Sequence, residues 1–114
     1  MKYYILKYNS SGDFLGYIHL PVYPMGNSNL MHKKASFRYD PLTQQYYLGY
    51  YVNASNLLYQ SVYINDELAG TGFLACFNPS GALLWKKEAV FNYWPTTVTD
   101  VLIDNESNVY VAGL

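Results

Sequence analysis

Cysteine occurs once, at Cys76, so no disulfide can form within the chain. Charge is also sparse, at 13% of residues, with seven Lys or Arg against eight Asp or Glu and a formal net charge of −1. Lys33-Lys34 and Lys86-Lys87 are only pairs set beside apolar residues. Neutralising phosphates needs clustered basic residues, so nucleic-acid binding is excluded as a reading. Histidine is limited to His19 and His32, and no Ser lies in a G-x-S-x-G setting. The spacing of His and Cys fits no metal site, and no glycine-rich loop is built to cradle phosphate. No apolar run approaches the length of a membrane span. The opening Met1-Lys-Tyr-Tyr-Ile-Leu-Lys7 lacks the apolar core of a signal peptide. Either the protein is cytoplasmic, or Met1 is not the natural start of a secreted chain.

Aromatic residues are plentiful: 14 Tyr, 5 Phe and 2 Trp stand among 114 residues that are 51% hydrophobic. Such residues favour pleated, half-buried strands, whereas helix formers at 3.6-residue spacing are scarce. The content is enough to pack a single domain over residues 1–114 and excludes a disordered chain.

One pattern occurs twice. Tyr8-Asn9-Ser10-Ser11-Gly12-Asp13-Phe14-Leu15 aligns with Phe77-Asn78-Pro79-Ser80-Gly81-Ala82-Leu83-Leu84, and Asp40 to Gly49 aligns with Asp104 to Gly113. Asn, Ser, Pro and Gly make the turns because Asn and Ser bond nearby backbone, Pro pre-sets φ and Gly accepts positive φ. Each copy therefore reads as two hairpins. The offset is 69 residues from Asn9 to Asn78 and 64 from Asp40 to Asp104, so the first unit covers about 1–69 and the second, incomplete, about 70–114. Four short antiparallel strands per unit are the mark of propeller blades.

Phe77-Asn-Pro-Ser-Gly-Ala-Leu-Leu-Trp85, Val101-Leu-Ile-Asp104 and Asn108-Val-Tyr-Val-Ala-Gly113 together resemble the bacterial seven-bladed β-propeller repeat. Ala75 to Trp85 is also similar to the tryptophan-docking motif of quinoprotein propellers, though Phe77 stands where that motif has Asp and Gly16 where the first copy should carry Trp. In both families these residues join blades and perform no chemistry. The resemblance implies an all-β fold of four-stranded antiparallel blades, about two blades' worth, incomplete or closed by oligomerisation. It also implies a secreted or cell-surface bacterial setting. Two-bladed lectins that trimerise into six-bladed rings are similar in architecture.

In chain order, residues 3–8 with 13–20 and 35–39 with 45–53 read as hairpins, Val22 to Lys34 as a long loop opened by Pro21 and Pro24, and Asn56 to Asn65 as a strand-like run, either an inserted extra strand or part of the blade-to-blade crossover. Leu58, Gln60, Val62 and Ile64 share one face of that strand. Asp66 to Gly70 reads as a turn or one helical turn, and Asn92 to Pro95 as a loop. The last hairpin joins 97–103 to 108–113.

Asp104-Asn-Glu106-Ser-Asn108 sets oxygens at alternating positions, as a calcium loop would, but it lacks the Gly and distal carboxylate of such loops and reads as a polar turn. Asp13, Asp100, Asp104 and Glu106 fall in turns or at a strand start, so none is read as a catalytic acid. Cys76 reads as a buried, inert thiol and Trp85 as structural. Sugars stack on Tyr and Trp with Asn at the rim, so Asn92, Tyr93 and Trp94 form the first candidate ligand-binding cluster and Tyr23, Asn27 and Asn29 the second. The expectation is a non-enzymatic propeller module for protein interaction, with no catalytic residues, metal or cofactor. Its partner would be another protein, remaining blades or further copies of itself. The alternative is a carbohydrate-binding, lectin-like propeller that holds glycans on loop aromatics.

Overall fold

A computed structural model describes residues 3–24, 35–51, 62–68, 72–88, 90–91, 94–95 and 98–113. Every element among them is a β-strand, so the all-β expectation holds. In order these are β1 (Tyr4–Tyr8), β2 (Phe14–His19), β3 (Val22–Pro24), β4 (Ser36–Asp40), β5 (Gln45–Tyr51), β6 (Val62–Ile64), β7 (Glu67–Leu68), β8 (Gly72–Phe77), β9 (Leu83–Glu88), β10 (Val90–Phe91), β11 (Trp94–Pro95), β12 (Val98–Ile103) and β13 (Val109–Gly113). Among the described residues no helix is long and apolar enough to cross a membrane.

The centre is a four-stranded antiparallel sheet in the order β4-β5-β8-β9. Its strands come from both copies of the repeat, β4 and β5 from the first and β8 and β9 from the second. Strand residues alternate faces, and here both faces are covered. Tyr46, Leu48, Tyr50, Phe73, Ala75 and Phe77 pack with Leu20, Val22, Val62 and Ile64, and against Ile5 and Ile18. Tyr47 and Cys76 point the other way and pack with Val98 and Val101, flanked by Ile103 and Val109. The two-stranded sheets β1-β2 and β12-β13 thus lie on opposite faces of the central one. This is why β5 and β8 read as near-continuous apolar runs with little polar alternation. Burying Phe73 and Phe77 contributes roughly 2 to 3 kcal/mol each.

The layers approach closely at two glycines. A β-carbon on Gly49 of β5 would lie 2.7 Å from Val101 Cγ2 and from Val98 Cγ1. One on Gly81 would meet Ile18 and, at 2.5 Å, the His19 carbonyl.

Hairpins β1-β2 and β8-β9 are structural copies at the 69-residue offset. Tyr8 pairs Phe14 as Phe77 pairs Leu83, Lys7 pairs Gly16 as Cys76 pairs Trp85, and the same register shift follows each first pair. The turns match as well. Asn9 Oδ1 accepts from Ser11 N and Asp13 N, and Asn78 Oδ1 accepts from Ser80 N and Ala82 N. Gly12 and Gly81 each take positive φ, near 86° and 91°. Asp104 repeats the design with Glu106 N and Asn108 N, and Ser107 takes the positive-φ place.

The second alignment needs a correction. In β4-β5 the positive-φ residue is Gln44, four positions after Asp40, whereas in β12-β13 it is Ser107, three after Asp104. The first turn carries one extra residue. Tyr39 opposes Tyr46 while Ile103 opposes Val109, so β5 matches β13 at an offset one less than 64. A one-residue slip of this kind exchanges the faces of every side chain.

Three loop readings also change. Val22–Pro24 is a strand paired to Val62–Ile64, with Pro24 at its end, where a missing N–H disturbs the ladder least. Glu67–Leu68 pairs back on β6 through Asn65 and Asp66, whose φ values of 51° and 64° are those of a tight hairpin turn and not of a helical turn. Trp94–Pro95 pairs with Val90–Phe91, strands of the β-branched and aromatic types that favour extended backbone. In the extra strand Val62 and Ile64 are buried and Tyr63 half-buried, the alternation expected there.

Candidate interaction surface

The alternation that buries Phe73, Ala75 and Phe77 in β8 places their counterparts Tyr4, Leu6 and Tyr8 on the outer face of β1-β2. Phe73 and Phe77 are fully buried, whereas Leu6 is 47% and Tyr8 56% exposed. Phe14 and Tyr17 from β2 extend the same face, opposite Tyr8 and Leu6. The rings touch one another: Tyr8 and Phe14 lie 5.7 Å apart, Tyr4 and His19 6.1 Å, and Tyr17 and His19 5.1 Å. The result is a contiguous aromatic sheet face turned to solvent.

Beside it runs a groove of about 290 Å³. Tyr4, Ile5 and Leu6 form its wall along the edge of β1, and Phe37 and Leu48 of the central sheet form its floor. Phe37 stacks on Tyr46 at 5.9 Å. On the other side of the molecule, Trp85 is 36% exposed on β9 and meets Tyr47 edge to face, with centroids 6.0 Å apart. Leu102 and Tyr110 present a smaller apolar patch on β12-β13.

Three aspartates close turns or tie strands. Asp40 is buried and accepts from Leu42 N at 3.0 Å and Thr43 Oγ1 at 3.0 Å. The Ser107 side chain foremost, and then these two donors, hold its carboxyl below the usual range. Asp104 accepts from Glu106 N and Asn108 N on Oδ1 and from Asn108 Nδ2 and Tyr110 OH on Oδ2, and the Asn108 backbone bond leads in lowering its carboxyl. Both oxygens are therefore turned to internal donors, the arrangement of a self-closed turn. Asp100 takes Val101 N, Ser36 Oγ and Arg38 Nη2 on one oxygen, tying β12 to β4, and its carboxyl is lowered chiefly by the Val101 amide. This exposed ion pair is worth little by itself and acts here as a positional tie. A shallow cavity of about 470 Å³ lies between the Asp40 and Asp104 turns.

Of the residues singled out as ligand-binding, Tyr23 lies on β3. Its ring stacks on Tyr63 with centroids 5.6 Å apart, and its hydroxyl donates to Asp66 Oδ1 at 2.8 Å, which raises its own pKa. Trp94 stands in β11 opposite Phe91. Asn27, Asn29, Asn92 and Tyr93 lie outside the described residues, as does His32. Cys76 is fully buried and donates to Gln45 Oε1 at 3.5 Å, and burial pushes its thiol up.

The aromatic outer face was the feature sequence reasoning missed. Its signal is in Tyr4-Ile-Leu-Lys-Tyr8, where both faces of the strand carry apolar residues. A strand of that kind is covered on both sides or presents one side to a partner. No protein-family model, curated protein or solved structure matches the chain.

Proposed function

We propose that the chain is a non-enzymatic, propeller-type repeat module that serves as an interaction scaffold, its stacked hairpins offering open sheet edges and an aromatic face for association. One observation carries this reading: two hairpins with the same register, register shift and turn occupy consecutive layers, and the face that is buried in one copy is open in the other. Contiguous apolar faces of this kind mark association sites on folded proteins. Asp40, Asp104 and Asp100 are engaged in turns and ties, which supports scaffold over acid–base work.

The test is a triple substitution on the open face, Leu6→Ser, Tyr8→Ser and Tyr17→Ser, with circular dichroism and binding of an apolar fluorescent dye as readouts. Retained dye-free strand signal with loss of dye binding supports an association face. Collapse of the fold, or unchanged dye binding, refutes it.

The second reading is lectin-like binding of glycans by loop aromatics, for which the half-buried Tyr23–Tyr63 stack with Asp66 at its rim is the supporting observation. Glycan-array binding lost in Trp94→Ala or Tyr23→Ala would favour it, and an array without signal for the intact chain would remove it.

A further inference from the structure

The central sheet is made by joining one hairpin of the first repeat to one hairpin of the second, β5 against β8. The two outer hairpins are the remaining copies: β13 corresponds to β5, and β1 corresponds to β8. Both lie at an edge of a two-stranded sheet. We infer that a second copy of this chain occupies the open edges, β13 of one copy pairing with β1 of the next as β5 pairs with β8, to complete a four-stranded sheet β12-β13-β1-β2 across the contact. The inference rests on the scaffold reading and names its partner.

The internal pair fixes the register. Tyr46 opposes Phe77, Leu48 opposes Ala75 and Tyr50 opposes Phe73. Matching the turns through Gln44 and Ser107, and through Asn9 and Asn78, converts these pairs to Val109 with Tyr8, Val111 with Leu6 and Gly113 with Tyr4 of the neighbouring copy. This register satisfies the faces as well as the edges. Val109 packs toward the central sheet of its own copy. Pairing to it would therefore turn the neighbour's Tyr8, Leu6 and Tyr4 onto that same sheet, on the side where Trp85 is exposed. Two sets of exposed apolar groups, the outer face of β1-β2 and Trp85, would be covered by one contact.

The groove is the complementary observation. It follows the edge of β1 and is floored by Phe37 and Leu48, which belong to β4 and β5. In the same molecule, β12 lies over the other face of β4 and β5. A neighbour's β12-β13 entering the groove would give the central sheet the same cover on this side. Since the two edges differ, the contact runs head to tail and a rotation that closes yields a ring.

Cysteine pairs read the register directly, and buried Cys76 stays out of the reaction. Leu6→Cys and Val111→Cys are made in separate chains, mixed and oxidised. The expected result is a covalent dimer from the mixture and little from either chain alone. Lys7→Cys mixed with Val111→Cys, one residue out of register and on the opposite face, should give at least about tenfold less, because disulfides demand close Cβ geometry. Tyr8→Cys with Val109→Cys repeats the test should the first pair disturb folding. Absence of dimer from both pairs, or equal yield from the Lys7 control, overturns the second-copy contact. Dye binding to the outer face would survive that failure, with the slots then left to other blades or another protein. Loss of the fold on removing the outer-face aromatics would instead sink the scaffold reading itself.

Discussion

The Ser107 side chain, carried on the last turn of the chain, is the foremost group lowering the buried Asp40 carboxyl of the equivalent turn one repeat earlier. Two copies of one hairpin are thereby linked at their tips while Gly49 and Val101 set the spacing of their bodies. The stacking of repeats is thus written in polar as well as apolar contacts.

Acid should loosen this tie. Asp40, Asp100 and Asp104 all have carboxyls held below their ordinary values in the folded chain. The unfolded chain then binds protons first as pH falls, so stability is complete above about pH 4 to 5 and declines below it, as linkage requires for depressed carboxyls. Thermal midpoints from pH 7 to pH 2 should show that decline, and Asp40→Asn should lower the midpoint at pH 7 and shrink the acid limb. Ser107→Ala should raise the Asp40 titration midpoint seen by NMR; an unmoved midpoint would show the hydroxyl to be idle.

Strong base should act through two phenols. Tyr3 and Tyr47 are pushed up to about 12, both by burial first, with Tyr50 near one and the Cys76 thiol near the other. A raised phenol favours the folded state fully below pH 10, and the stability is lost as pH climbs from 10 through 12. Absorbance at 295 nm should resolve a late tyrosine phase that coincides with loss of strand signal. A single phase near 10 with the fold intact would contradict it.

Layer spacing is testable at one atom. Gly49→Ala places a methyl where two valine side chains stand, and overpacking of this type is worth about 1 to 3 kcal/mol of stability. Gly12→Ala is the control: its Cβ meets open space but its φ of 86° is unfavourable for alanine, an effect of about 1 kcal/mol. Chemical denaturation should rank Gly49→Ala as the more damaging. The reverse ranking would mean that the two sheets do not pack this closely in solution.

Cys76 should resist aromatic disulfide reagents in the native protein and react on denaturation, since its sulfur is fully buried and its thiol raised. Fast reaction in buffer would place it at a surface.

Much of the fold was legible because the turns announce themselves. Asn9 to Asp13 and Asn78 to Ala82 carry one hydrogen-bond pattern in one residue pattern, and the strands on either side follow. The slip between β5 and β13 was not legible, because Asp40-Pro-Leu-Thr-Gln and Asp104-Asn-Glu-Ser-Asn align without a gap while their positive-φ residues fall one place apart. The hairpin at Asn65-Asp66 was hidden because neither residue is glycine, and asparagine and aspartate take positive φ without announcing it. Which apolar face of β1 is open was also beyond a sequence reading. Ile5 and Leu6 are chemically alike, and only the stacking of a second sheet separates them.

Hydrogen exchange read by mass spectrometry at low and high protein concentration decides whether β13 and β1 pair between copies. Peptides covering Tyr4–Tyr8 and Val109–Gly113 should slow with concentration by about tenfold or more, as amides do on entering a stable ladder. Leu83–Glu88, the far edge of the central sheet, should exchange at one rate throughout. Concentration-independent exchange of β1 and β13 in a folded chain, or protection gained on β9 instead, would contradict that pairing.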